Sequence, residues 1–423
     1  MSGITTKTYK SGLRLVHDYM PDSRTAAISI AVQVGRVHED ESQAGISHFL
    51  EHMCFTATKS KTTLQLETEK DENGIVSNAY TDRECTVYYS KAINEKFAKA
   101  TELMAESFFN VLLNKEEMET ERGVILSEIK MRTDNRDIRL FEFARSKYYG
   151  GASMGAVIIG TEDTVNALTQ EDLIKFRAEH YIASKVIISI AGGIPFEEVE
   201  ELVSKHFESN FKDEALPCVL PRLLNNPVRK PELAFIKDDV QQDLSFIMLP
   251  GLNVADERAR VLSLFNWLFG STLSSRLVQE VRVKQGLVYN IGTETDSSSD
   301  SGIFIIYYGT PEKNQEKALA TVRREINKII EEGITQSELE KAKVLASTKI
   351  LFKEPDVFTR AASNSTQLIF KGKVLSLSER IEAIKNITLE QINSVAREVL
   401  SNPNVLFATM SKNPFKDALK ILS

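Results

Sequence analysis

Residues 209–232 read SNFKDEALPCVLPRLLNNPVRKPE and carry Pro217, Pro221, Pro227 and Pro231, four of the eleven prolines in the chain. The stretch keeps no period of 2 or 3.6, so it reads as a linker over 209–231 rather than as a strand or helix. It straddles the midpoint of the 423 residues. Working outward from it, both flanks show the same order, strands first and helices last. Two related domains, 1–208 and 232–423, are therefore expected.

In the first half LRLVHD (13–18), TAAISIAVQVG (25–35), CTVYYSK (85–91) and KVIISIAGG (185–193) have strand character. Helices are expected over 42–56, 97–111, 115–133, 170–182 and 195–208, the second of these from Phe97, Thr101, Met104, Phe108 and Val111 at helical spacing. The second half repeats the pattern, with strands near 232–238, 242–249, 287–296, 302–309 and 405–410. Helices are expected over 256–270, 273–284 and much of 312–400. Segregated strands and helices predict an α+β fold, each domain a mostly antiparallel sheet packed with helices. No phosphate loop or dinucleotide fingerprint opens a helix, which excludes the common nucleotide cofactors.

With 52 basic and 59 acidic side chains the formal charge is −7, the wrong sign for a nucleic-acid binder. Three cysteines without a Cys-x-x-Cys spacing suggest a reducing compartment. The first residues show neither secretory nor transit character, and no apolar run approaches a membrane span; a cytoplasmic protein is expected.

Two of the six histidines fall in GISHFLEHMCF, as His48-Phe49-Leu50-Glu51-His52. On a helix His48 and His52 share a face one turn apart, with Glu51 beside them. Two neutral imidazoles can bind zinc while the carboxylate, off the metal, takes a proton from the water that the metal activates. This H-x-x-E-H order is an established metallopeptidase motif, and chance would produce it on the order of 0.01 times in such a chain. Two exposed helix histidines are the plain alternative. A third protein ligand is needed, and the helix over 115–133 offers Glu121 and Glu128, seven residues apart on one face, with Val124 and Ile125 expected to anchor it to a core. Cys54 points away from the histidine face and is expected to be buried. His17, His38, His180 and His206 have no partner spacing.

With these motifs the chain resembles the pitrilysin/insulinase family of zinc metallopeptidases over nearly its whole length. The resemblance implies that Glu128, 76 residues after His52, completes the zinc site, and that Glu121 orients it from behind. ENGIVSNAYTDRECTVYY (72–89) looks like the family strand that pairs with an extended substrate, which implies peptide contacts from Asn78 and Ala79; a turn residue and a small strand residue are the alternative. STLSSRLVQEVRVKQGLVYNIG resembles the family's Arg/Tyr segment, implying that Arg282 fixes a substrate carbonyl and Tyr289 donates to the developing oxyanion. A salt-bridged arginine and a core-capping tyrosine are the other reading.

The glycine-rich loop that captures presequences in a non-catalytic relative is absent, which argues against a presequence-specific role. The implied protein is an endopeptidase for short or unstructured peptides with one zinc per chain. Each chain would form half of a clamshell chamber. Because both the zinc motif and the Arg/Tyr pair lie in one chain, a homodimer is favoured over the zinc-bearing subunit of a heterodimer. A non-catalytic structural member of the family is the remaining alternative.

Overall fold

The computed structural model describes residues 3–211, 230–353 and 355–422. Of the expected linker, 212–229 lie outside the described residues.

The first sheet has six strands: β1 (Gly3–Thr8), β2 (Arg14–Tyr19), β3 (Thr25–Val32), β4 (Val76–Thr81), β5 (Thr86–Ile93) and β6 (Val186–Gly192). Their order is β1-β2-β6-β3-β5-β4, antiparallel throughout except for the β2/β6 pair. The second sheet has β7 (Glu232–Lys237), β8 (Asp243–Pro250), β9 (Asn290–Ser297), β10 (Gly302–Thr310) and β11 (Leu406–Ser411), ordered β7-β11-β8-β10-β9. Here β7/β11 is the parallel pair. Apart from the added edge strand β1, the two sheets have one topology, with the parallel pair in the same place. The α+β class holds, each sheet being mixed by that single pair.

Side-chain size explains how the first sheet is covered. Along β3, Ala26, Ile28, Ile30 and Val32 point into the main core with Val186, Ile188 and Ile190 of β6. The alternate residues are small: Ala27 and Ala191 pack beneath Val357 and Ala361, and Ser29 Oγ lies 3.4 Å from Ser365 Oγ. The helix on this face, Val357–Lys371, is tied to β2 by a buried charge. Arg360 donates to both Asp18 oxygens, at 2.8 and 2.6 Å, and Asn364 donates a third hydrogen bond at 3.0 Å.

The strands of the two sheets fall on either side of 209–231, but two helices depart from a division at that point. One compact unit comprises the described parts of 1–132, 157–222 and 352–376; the other comprises those of 133–156, 223–351 and 377–423. The helix Val357–Lys371 thus serves the first unit, because only a close-packing helix fills its small-residue face. Reciprocally, the helix Arg136–Tyr148 serves the second. There Phe141 packs on Phe246 at 5.7 Å, Arg139 pairs with Asp238, and buried Arg145 pairs with Asp296.

Candidate metal centre

The helix Ile46–Met53 is two turns long, and its apolar residues Ile46, Phe49, Leu50 and Met53 are buried in the first unit's core. That fixes the rotation of the helix and turns His48 and His52 to the other side, their ring centroids 4.7 Å apart. Gly45 precedes the helix with φ +98°, and a Cβ there would meet the Ile159 carbonyl oxygen at 2.6 Å, so only glycine fits. Cys54 is buried just beyond the helix, as its spacing implies.

The second helix, Lys115–Asp134, leans on the same core through Met118, Ile125 and Ile129. Val124 does not share in this anchoring: it is 49 % exposed, because it stands one residue, about 100° of helical turn, away from Ile125. Arg122 does the work instead. Its guanidinium lies 5.4 Å from the Phe49 ring of the histidine helix and donates to the Val165 and Leu168 carbonyls, the latter at 2.9 Å. With this phase Glu121 and Glu128 face the histidines.

Glu128 Oε2 lies 3.6 Å from His48 Nε2 and 3.8 Å from His52 Nε2. One donor atom from each of the three residues lies within 4.8 Å of the others, the only such group among the described residues. Ligand atoms at about 2.1 Å from a tetrahedral zinc stand about 3.4 Å apart, so the donor set fits a zinc ion with small adjustment. His52 Nδ1 lies 3.0 Å from Glu121 Oε2, which leaves Nε2 as the atom turned to Glu128. Burial disfavours a charge on His52, but Glu121 and Glu128 outweigh it and hold the imidazole up at about 9. Burial, with His52 adding to it, pushes His48 down to about 4. Hydrogen bonding to His52 lowers the Glu128 carboxyl.

Glu51 is nearly buried, and its Oε2 accepts a 2.6 Å hydrogen bond from Thr81 Oγ1. Burial raises the Glu51 carboxyl and the Thr81 hydroxyl opposes that rise. Thr81 comes from β4, the edge strand next to the histidine helix. Asn78 lies on the opposite, exposed face of the same strand, and its Oδ1 accepts from the Ala79 N–H at 2.8 Å.

Arg282 is the penultimate residue of a π-helical turn, Val278–Val283, in the second unit, where a plain helix was expected. Its side chain is exposed and has no ion pair among the described residues. Tyr289 is 73 % exposed, and its N–H donates to the Gly309 carbonyl at 3.1 Å just before β9. Neither is the salt-bridged or core-capping residue of the plain reading.

Sequence reasoning gave no role to two residues that shape the site, Thr81 and Arg122. Only Thr81 left a local signal, through the alternation that puts Ala79 and Thr81 on one face of β4.

Residues 14–162 match the family model described as insulinase (peptidase family M16), and 167–344 match that described as the peptidase M16 inactive domain. The chain is 30 % identical over 400 residues to an uncharacterized zinc protease, YmxG, of Bacillus subtilis, covering 94 % of this chain and 96 % of that one. It is 31 % identical over 396 residues to an uncharacterized zinc protease of Rickettsia felis, covering 93 % and 94 %. A crystal structure of a protease from Helicobacter pylori shares the fold, with TM-score 0.87 and 22 % identity over 97 % of this chain and 100 % of that one. The chain belongs to the insulinase family of peptidases, M16. No described helix is long and apolar enough to cross a membrane.

Proposed function

We propose that this chain is a zinc-dependent endopeptidase acting on short or unstructured peptides, with one zinc per chain held by His48, His52 and Glu128. The observation that carries the reading is the convergence of those three donors with Glu51 beside them. Zinc bound there would supply Lewis acidity toward a water and a peptide carbonyl. Glu51 takes the proton from the attacking water and returns it to the leaving amine. Burial raises its carboxyl, which favours return of the proton, and Thr81 aims it. Glu121 fixes the His52 ring so that Nε2 faces the metal.

An extended peptide joins the sheet at the open edge of β4, gripped by the backbone of Ala79 and by Asn78. Arg282 and Tyr289, both exposed, hold the substrate carbonyl and the oxyanion. Residues 1–208 would carry the zinc chemistry, 209–231 the link and 232–423 the Arg/Tyr contacts. We assign the working form to a cytoplasmic homodimer.

Glu51→Gln should still bind about one zinc per chain while losing at least about a thousandfold in peptide cleavage. Metal analysis and hydrolysis of a mixed peptide library, with and without chelator, check this; full activity in the variant would sink it. Gel filtration of the single purified chain beside the same assay separates a self-sufficient homodimer from half of a heterodimer.

A further inference from the structure

Glu39 lies outside every motif considered above, yet its carboxylate is buried at the start of the histidine helix. Oε2 accepts the Gly45 N–H at 2.8 Å and Oε1 accepts the Ser47 N–H at 2.9 Å. Each oxygen is thereby committed to one backbone donor, and Ser47 is the residue before His48. Arg36 backs the carboxylate: its Nε lies 3.7 Å from Glu39 Oε2, both side chains fully enclosed, while its Nη2 donates to Glu41 at 2.9 Å. The Arg36 Nη1 donates to the Glu39 carbonyl at 3.4 Å.

The geometry has a mechanical consequence. A helix of eight residues is too short to hold its own direction, and its far end carries Glu51 and His52. The clamp on Gly45 and Ser47 holds its near end in place, adding to the buried apolar residues that set its rotation. The Ile159 carbonyl lies so near Gly45 that a Cβ there would meet its oxygen at 2.6 Å. A small rotation there would move His48, Glu51 and His52 together against Glu128 and Thr81, which come from other elements.

We propose that Glu39 is a positioning residue of the metal centre, acting through the backbone of Gly45 and Ser47 to set where His48, Glu51 and His52 meet Glu128. The proposal rests on the zinc-peptidase reading. Glu39→Gln removes one acceptor and turns an NH2 donor against a backbone N–H; Glu39→Asp keeps both oxygens on a shorter stem. Thr62→Ala serves as control, because Thr62 caps a different helix of the same unit by accepting the Gln65 N–H.

Each protein is titrated with zinc against a chromophoric chelator, well below its thermal midpoint, with the folded fraction followed by circular dichroism. Glu39→Gln should bind zinc about tenfold more weakly per folded chain and lose kcat about tenfold with KM within about twofold. Glu39→Asp should recover part of both, and Thr62→Ala should lower the midpoint while changing neither. The cobalt-loaded variant should show a shifted visible spectrum.

If Glu39→Gln behaves like Thr62→Ala, Glu39 is a cap only and the proposal falls while the peptidase reading stands. If the wild-type chain binds no zinc, the peptidase reading falls and takes this one with it. Should Glu39→Gln fail to fold, Glu39→Asp decides: weakened zinc binding in a folded chain supports positioning, and wild-type binding overturns it.

Discussion

Arg122 shows how much of the site depends on a residue with no chemistry of its own. It stands between Glu121 and Glu128 in sequence, and its guanidinium joins the Phe49 ring, two carbonyls and Glu119 at 3.1 Å. Truncation to alanine removes that packing and leaves the Val165 and Leu168 carbonyls short of a donor. Arg122→Ala should therefore cost about 2–4 kcal/mol in urea denaturation, and lysine should restore little because it lacks the planar fork. A loss below about 1 kcal/mol would contradict this account. The difference between what was legible and what was not is itself physical. His48, Glu51 and His52 announce themselves because a single helix places them together. Glu128 became readable only through its spacing in a known family. Arg122 reaches the site through tertiary hydrogen bonds and Glu39 through the backbone of Gly45 and Ser47, neither of which leaves a periodic pattern, while Thr81 shows only in the alternation of β4.

Among the elements, central strands and amphipathic helices were legible because burial writes their periodicity. The strand β1 was not, since its residues are mostly exposed, and the polar helix Thr63–Glu72 shows no apolar stripe. That helix starts at a reciprocal cap between Thr62 and Gln65, which does not depend on burial. The helix Gln336–Lys353 starts in a similar way, and its cap carries charge. Glu338 accepts from the Thr335 N–H and hydroxyl at 2.9 and 2.8 Å and is gripped by Arg276 at 2.6 and 2.7 Å. Burial alone would raise its carboxyl, but Arg276 and Thr335 outweigh burial and hold it down at about 2. A carboxyl lowered by folding adds stability above its unfolded value of 4.5, and that stability is lost as pH falls toward about 2. Glu338→Gln should be less stable than the parent by about 1–2 kcal/mol at pH 7, the figure already reduced for solvent access. The gap should close between about pH 4.5 and pH 2. A gap that stays constant across that range in parallel melts would remove the charge from the explanation.

At the scale of the molecule, the proline-rich stretch told of two halves, and the matching strand orders of the two sheets agree with a repeated plan. What it did not tell is that sequence order and packing order differ. The clue was present as Ala27, Ser29, Ser189 and Ala191, small residues alternating with isoleucines on strands buried on both faces, but nothing local says which helix they await. The answer is Val357–Lys371, whose Arg360 neutralises Asp18, a carboxylate buried on β2, while Asn364 donates a further hydrogen bond to it. A fragment of residues 1–208 therefore keeps the metal-site residues yet loses the cover of one sheet face and, with it, both partners of Asp18. The same fragment retains the helix Arg136–Tyr148, whose Phe141 and Tyr148 have their partners Phe246 and Gly302 in the other half. Expressed alone, 1–208 should show no cooperative unfolding transition, whereas co-expression with 232–423 should yield a stoichiometric pair that melts cooperatively. Arg360→Ala in the intact chain leaves Asp18 beneath the helix without its counter-charge and should lower stability by about 3–5 kcal/mol. A soluble 1–208 fragment with a sharp thermal transition would show instead that the first sheet closes its small-residue face without the returning helix.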